Sequence, residues 1–306
     1  MKSVVQIFVL FFLGTAITMP SQGKTKWYKI TREYVVLDTL LLKVNYLKTF
    51  KEYVGDTVLK KNIQELRIGE EVSSFETNTQ SFLMDHASDE VKEKAKDYVS
   101  LFRWAFKQLR YYNQEKNNEI FLKNHPDKGI LTVRSGTIIG DRQFYSYEEA
   151  VAELDWQLEE GDSIVCGYLC GRATTSFHGR TWHVWYTLDI PYSDGPWKLC
   201  GLPGLILKAT DSTGEFDFTA ITIEEEHSDL ERKNKVVTYK SPNEKIPPQR
   251  YEELTSLYMY DIIAFYQKRD GIENTKRLVE ICERYGNPLK PERRAPCLIE
   301  YYGKKK

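Results

Sequence analysis

Residues 191–207, PYSDGPWKLCGLPGLIL, constrain the fold more than any other part of the chain. Three prolines in this segment lack a backbone N–H donor, and they resist placement in a central β-strand. Asp189, two residues before this segment, and Ser193 within it are residue types that are common in turns. The pattern therefore predicts a stiff loop over residues 189–204, the signature loop, which returns to a sheet at Leu205.

Three bulky apolar side chains on this loop, Trp197, Leu199 and Leu202, are expected to plug the open end of a curved sheet. Gly204 follows a proline, as in a turn whose third position needs a positive φ. Stiff loops on a rigid scaffold often carry function, so a binding role for the same loop stays open. Asp194 and Trp197 are the binding candidates that the loop offers.

The stretch before the loop predicts a β-hairpin that turns at His178 and Gly179. The expected cross-strand pairs are Phe177 with Arg180, Thr175 with Trp182, and Ala173 with Val184. Because side chains alternate along a strand, one face is apolar and is assigned to the core: Leu169, Ala173, Trp182, Val184, Tyr186 and Leu188. On the other, mixed face, Arg172 opposite Trp185 predicts a cation–π pair of about 0.5–1 kcal/mol if exposed. These two residues are the remaining binding candidates.

The residues of the hairpin and loop resemble the GLPGLI family, exported Bacteroidetes proteins of unknown function. The family takes its name from the hexapeptide that stands here as Gly201, Leu202, Pro203, Gly204, Leu205 and Ile206. The resemblance extends back through GYLCGRATTSFHGRTWHVWYT to Trp156, and it implies no established activity. In strand order and in the GY…C…WYT pattern, such chains are also similar to the half-barrel carriers of the outer-membrane lipoprotein localisation type.

The first 23 residues have the layout of a secretory signal peptide. Lys2 precedes an apolar run from Val4 to about Ala16, and small residues follow up to Gly23. The run is shorter than the ~20 residues that span a bilayer, so we expect cleavage near Gly23. The mature chain is then expected in the periplasm or at the outer-membrane face, with no transmembrane segment after leader cleavage.

Five cysteines follow the leader, and an odd number leaves at least one thiol free within a monomer. Cys166 and Cys170 lie four residues apart in a strand-like segment, which separates their Cα atoms by ~13 Å. A disulfide needs less than about 7 Å. The pairings to test first are Cys170 with Cys200 and Cys282 with Cys297.

The pattern over the whole chain favours the α+β class: a curved antiparallel β-sheet, half-barrel-like, with an inserted long helix and C-terminal helices. Apolar residues at three- and four-residue spacing predict the inserted helix within about 80–118. Pro247 and Pro248 open the C-terminal helices of about 247–285, because proline is tolerated in a first helical turn. The signature hairpins occupy 155–225, and no repeat or linker divides residues 24–306, so a single domain is expected.

Charge and motif content argue against several functions. A formal net charge of −1 without a basic patch gives no nucleic-acid footprint. The residue types of a nucleophile triad are present without a GxSxG turn, as Ser193, His183 and Asp189 or Asp194. His178, His183 and Cys170 lack the spacing of known metal motifs. We therefore expect neither a metal nor a cofactor.

The expected function is that of an exported, non-enzymatic binding or carrier protein, which presents its sheet to an apolar ligand or an envelope protein partner. Two alternatives stay open: a structural accessory subunit of an outer-membrane uptake or secretion complex, and a hydrolase. A deep apolar cavity favours the first interpretation, and a flat exposed patch with Tyr and Trp favours the second. A converging set of histidine, acid and nucleophile favours the third.

Overall fold

The computed structural model of the chain describes residues 34–95, 97–109, 119–135, 144–225, 235–239 and 243–260, with isolated positions up to 299. The expected signal peptide lies outside the described residues, as do Cys282 and Cys297. Most of the expected C-terminal helical region beyond residue 260 is also outside them. Among the described residues, no helix has the length and apolar character needed to cross a membrane.

One large β-sheet dominates the described part of the chain. Its strands are β1 (Tyr34–Phe50), β2 (Lys60–Gly69), β3 (Ser73–Thr77), β4 (Glu119–Lys123), β5 (Ile130–Ser135), β6 (Phe144–Ala150), β7 (Gln157–Val165), β8 (Tyr168–Phe177), β9 (Arg180–Thr187), β10 (Leu205–Asp211), β11 (Phe216–Glu225), β12 (Lys235–Tyr239) and β13 (Asn243–Lys245). The spatial order is β13-β6-β5-β4-β3-β2-β1-β11-β10-β9-β8-β7, and β12 pairs with the first part of β1. The pairings are antiparallel except that of β13 with β6.

The described helices are short: α1 (Thr79–Asp85), α2 (Asp89–Ala95), α3 (Tyr98–Gln108) and α4 (Pro248–Tyr260). The expected α+β fold with a long inserted helix is therefore wrong, because the chain is mostly β in one open, 13-stranded sheet. The apolar residues do recur at helical spacing, but the backbone forms two separate helices, α2 and α3, in place of one long helix. The backbone of Asp97 is extended, and its carboxylate accepts a hydrogen bond from the Ser100 amide at 2.8 Å. Asp97 is thus the N-cap at which α3 begins as a new helix.

The core lies on one face of the sheet, where paired apolar residues run across neighbouring strands. One such row contains Val44, Leu66, Phe75, Phe121, Val133 and Tyr147. All six are buried, and residues paired across antiparallel strands share a face. This row fixes the core face from β1 to β6 and provides the surface on which the signature loop packs.

The ends of β4 and β9 and the start of β10 lie at the same end of the sheet, because the strands alternate in direction. At this end the chain leaves β9 after Thr187 and returns at Leu205. The 17 residues between them contain the signature loop. The opposite end carries the short turns between β8 and β9 and between β10 and β11.

Candidate functional site

The signature hairpin has the register that the sequence predicts. Phe177 lies opposite Arg180, Thr175 opposite Trp182, and Ala173 opposite Val184. The turn residues His178 and Gly179 both have positive φ, 48° and 75°, as the favoured two-residue hairpin turns require. The expected hairpin of β10 and β11 is also confirmed, with Gly214 at φ 66° in its turn.

The assignment of this hairpin's apolar face to the core is confirmed only in part. Ala173, Trp182, Val184 and Tyr186 are buried, but Leu169 and Leu188 are 61% and 64% exposed. Cys170, which strict alternation placed on the mixed face, is fully buried. Burial along β8 thus stops following strict alternation before Gly171, so alternation alone could not decide which residues near the turn between β7 and β8 meet the core.

The signature loop packs its apolar side chains into the core. Trp197, Leu199 and Leu202 are all buried, as expected. The Trp197 ring lies 5.4 Å from the Trp182 ring and 5.4 Å from the Phe177 ring. Trp197 also has a φ of 55°, a backbone conformation that costs a bulky residue about 1–3 kcal/mol and persists only where its surroundings determine it. Trp197 is therefore an interior residue and offers no surface to a ligand.

Lys123 ties the loop to the end of β4. Its buried ammonium group donates to the Asp194 carboxylate, to the Gly195 carbonyl at 2.9 Å and to the Leu199 carbonyl at 3.2 Å. A lysine has three N–H donors, and these three acceptors can satisfy all of them. Asp194, proposed from the sequence as a binding residue, is buried and engaged in this contact.

Lys198 makes a second tie, to β6. Its side chain is almost fully buried, and Nζ donates to the Tyr147 hydroxyl at 2.8 Å and to Glu149 Oε1 at 2.6 Å. Buried charges are stable only when they are paired and hydrogen-bonded. The loop between β9 and β10 is thus fixed by charge to two strands, β4 and β6, that lie on the far side of β1 in the sheet.

Close packing against neighbouring atoms explains two of the loop's glycines. A Cβ on Gly204 would lie 1.9 Å from the Thr187 carbonyl oxygen, and a Cβ on Gly195 would lie 2.8 Å from the Ile206 Cβ. Gly204 does not have a positive φ, so the expected reason for this glycine is wrong, and contact with the backbone of β9 is the cause. The positive φ belongs to Gly201, at 97°.

Further hydrogen bonds hold the backbone at the two ends of the hexapeptide. The buried Tyr46 hydroxyl donates to the Ile206 carbonyl at 2.7 Å, and burial raises the pKa of this phenol well above its ordinary value. Trp156 donates from Nε1 to the Cys200 carbonyl at 2.8 Å. Leu202, Leu205 and Ile206 are buried, so the three aliphatic side chains of the motif lie in the core, whereas Pro203 is exposed.

The candidate pairing of Cys170 with Cys200 does not occur in the structure. Both residues are buried free thiols: Cys170 Sγ lies 3.5 Å from the Tyr168 carbonyl, and Cys200 Sγ lies 3.9 Å from the Ala152 carbonyl. Burial raises the pKa of each thiol above its ordinary value. Thiols with a raised pKa are largely protonated near neutral pH and react slowly. Cys166 is also free, and it is exposed.

The other face of the hairpin carries the remaining binding candidates. Arg172 lies opposite Trp185, as expected, with its guanidinium carbon 5.9 Å from the ring centroid. Arg172 Nε also binds Glu159 Oε2 at 2.8 Å. Both members are partly exposed, so the cation–π pair is worth about 0.5–1 kcal/mol. Arg172 and Trp185 remain accessible, unlike Asp194 and Trp197.

The structure does not bring together His183 and Asp194, two residues of the discounted triad. His183 is a mid-strand residue whose Nδ1 lies 3.3 Å from the Thr174 hydroxyl on the face of Arg172, whereas Asp194 binds Lys123 on the core face. Within the described ranges, no group of three or more His, Cys, Asp or Glu side chains could hold a metal ion.

Four exposed aliphatic side chains lie at this side of the sheet, and the sequence did not single them out as exposed. They are 61–74% exposed, and we call them the edge patch: Leu158, Ile164, Leu169 and Leu188. Ile164 lies directly opposite Leu169. β7 is the last strand in the sheet order, so the patch lies at the sheet's edge.

A family described as a protein of unknown function (Porph_ging) matches residues 172–208. The match begins within β8, runs through β9 and the signature loop, and ends in β10. A comparison with the curated proteins found no match.

Among solved structures, the chain is similar to two of a protein named PNGF-II, determined in two space groups. Each has 13% sequence identity and a TM-score of 0.46. Each alignment covers 72% of this chain and 34% of the other, so this chain spans about a third of their length. A likeness of this size transfers neither fold nor function.

Proposed function

We propose that this chain is an exported, non-enzymatic binding protein of the GLPGLI type. In this proposal the signature loop is a structural element of the core, and an envelope protein partner binds at the edge patch. The observation that carries the proposal is the exposure of Leu158, Ile164, Leu169 and Leu188 beside a loop that is itself buried. Clustered exposed aliphatic side chains are typical of interaction surfaces.

The filling of the core favours a surface site over the interior apolar site expected of a carrier. Large side chains occupy the core face: Tyr46, Phe75, Trp182, Trp197 and Phe218 are all buried and contact one another in a continuous set of rings. A ligand bound there would have to displace close-packed aromatic groups, which interiors resist. The accessible apolar surface is at the edge.

The test is recovery of the tagged protein from the envelope of its source cell, with cross-linking and mass spectrometry of partners. Leu169→Ser with Leu188→Ser should abolish the cross-linked partner while the melting curve changes little, because both side chains are already exposed. The matched control is Val35→Ser with Val36→Ser, which changes two aliphatic residues that are 44% and 49% exposed on another strand. Equal partner recovery from both double variants would contradict the proposal.

The accessory-subunit alternative uses the same kind of surface, and the position of β7 at the edge of the sheet favours it as the second candidate. An accessory subunit should co-purify with its complex in a fixed ratio through gel filtration. A binding protein in exchange with its partner should separate from it on dilution. The ratio of the two proteins in that fraction distinguishes the candidates.

A further inference from the structure

We infer that the partner of the edge patch presents an extended segment in which lysine or arginine alternates with aliphatic side chains. This inference rests on the proposed function, and it specifies the chemistry of the partner. The apolar half of the surface is the edge patch. The second half is a set of acidic side chains around it.

The apolar half forms one surface on the β7–β8 hairpin. Ile164 and Leu169 are directly opposed in the antiparallel register, so their side chains share a face. Asp162 is two residues before Ile164, and its partner Gly171 is two residues after Leu169. The Asp162 side chain therefore lies on the same face as Ile164 and Leu169. An aliphatic pair with a carboxylate beside it suits a partner that carries an aliphatic group next to a cation.

The acidic half is unusually one-sided in charge. Residues 153–162, ELDWQLEEGD, contain five acids and no Lys, Arg or His. All five are exposed: Glu153, Asp155, Glu159, Glu160 and Asp162. Arg172 binds Glu159, and it is the basic residue that the described hairpin places against this group. At the other side of the patch, Asp189 directly follows Leu188 and is also exposed.

Charge complementarity selects the partner. A positive segment gains attraction from these carboxylates, whereas an acidic one is repelled and excluded. The same reasoning disfavours a second copy of this chain paired edge to edge, since acid would lie opposite acid. Charged edge strands are known to oppose such self-pairing, and β7 carries acids at residues 159, 160 and 162.

An extended partner fits the geometry. β7 ends the sheet order, so within the described residues one side of its backbone faces no further strand. Extended peptides add to such edges through main-chain hydrogen bonds, and alternate side chains then supply specificity. The period of two in an extended segment would place aliphatic groups on the edge patch. The intervening cations would point to the opposite face, which carries Glu159, and Asp162 on the patch face would attract them within the ~8–10 Å range of charge interactions at ordinary salt.

The experiment measures binding of a fluorescent peptide of alternating lysine and leucine to the whole mature chain by anisotropy. Wild-type protein should bind it, and a peptide with glutamate in place of lysine should not bind. Glu160→Lys with Asp162→Lys should weaken binding by about tenfold or more, since each exposed ion pair contributes up to about fivefold and reversal adds repulsion. At about 1 M salt, where screening acts within ~3 Å, wild-type binding should fall to the level of this variant.

The control has the same change in net charge at a distant place. Glu90→Lys with Glu93→Lys alters two exposed acids of α2 and should leave peptide binding unchanged. Equal weakening by both charge reversals, or equal binding of the two peptides, would overturn the inference.

Failure of the inference can be separated from failure of the proposed function. If Leu169→Ser with Leu188→Ser abolishes partner recovery but Glu160→Lys with Asp162→Lys does not, the surface is correct and its partner is not basic. If the leucine variant keeps its partner, the proposed function itself is wrong.

Discussion

Gly204→Ala tests the role of the signature loop with a change of one methyl group. In the structure, the added Cβ would meet the Thr187 carbonyl oxygen at 1.9 Å, its carbonyl carbon at 2.8 Å and the Leu188 Cα at 3.2 Å. All three are backbone atoms at the end of β9, so no side-chain rotation relieves the clash. The loop and β9 would have to separate.

The size of the effect follows from what that separation breaks. Overpacking in a rigid interior typically costs about 1–3 kcal/mol. The shift would also strain the hydrogen bond that the Leu205 amide donates to the Ile190 carbonyl at 3.0 Å. It would disturb the pairing of Leu205 with Thr187 as well. A lost backbone hydrogen bond adds about 1 kcal/mol. We expect Gly204→Ala to lower the free energy of unfolding by about 3 kcal/mol or more.

Urea denaturation of the mature chain measures this value, and Gly171→Ala is the matched control. A Cβ on Gly171 would lie 3.6 Å from the Tyr186 ring, an ordinary contact, and this glycine does not have a positive φ. Its substitution should change stability by less than about 1 kcal/mol. Equal destabilisation by the two alanines would refute the close packing of the loop against β9.

Three further predictions use the same denaturation assay. Trp182→Ala should cost about 3–5 kcal/mol, as large aromatic core truncations do, whereas Trp185→Ala on the partly exposed face should cost clearly less; a reversed order would contradict the register. Lys198→Met should cost about 1–3 kcal/mol, because it leaves buried hydrogen-bond partners unsatisfied, and a neutral result would remove its structural role. Burial alone would raise the pKa of Asp211, but hydrogen bonds from Thr213, Phe216 and Arg180 lower it below 3.8. Wild-type stability should therefore fall as the pH drops through and below that value, and Asp211→Asn should lose less between neutral pH and about pH 3.

Local pattern predicted the signature hairpin well, because alternation and a turn fix the register of adjacent strands. The pair Thr175 and Trp182 is an example. The same reasoning does not identify β1 as one continuous strand. Residues 42–46 of this central strand alternate between apolar and polar types, but the leucines before them and Leu47 after them interrupt the period of two, and the pairing with β11 shifts register between Asn45 and Tyr46.

The long-range features of the site could not be read from the sequence. Nothing local distinguishes Lys123 or Lys198 from exposed lysines, since their partners lie 71 and 49 residues away at Asp194 and Glu149. The same holds for Gly204, where only glycine fits because the Thr187 carbonyl at the end of β9 leaves no room for a Cβ atom. Exposure of Leu169 likewise depends on where the core ends along β8.

Backbone hydrogen exchange through residues 194–206 tests the central claim most directly, namely that the signature loop is part of the core. The Ile206 amide donates to the Asp194 carbonyl at 3.0 Å, and the Leu199 amide donates to the Pro196 carbonyl at 3.1 Å. The account predicts that these amides exchange only on global unfolding, as core strands do. Exchange as fast as that of the exposed turn at Gly167 would contradict it and would identify the loop as a surface segment.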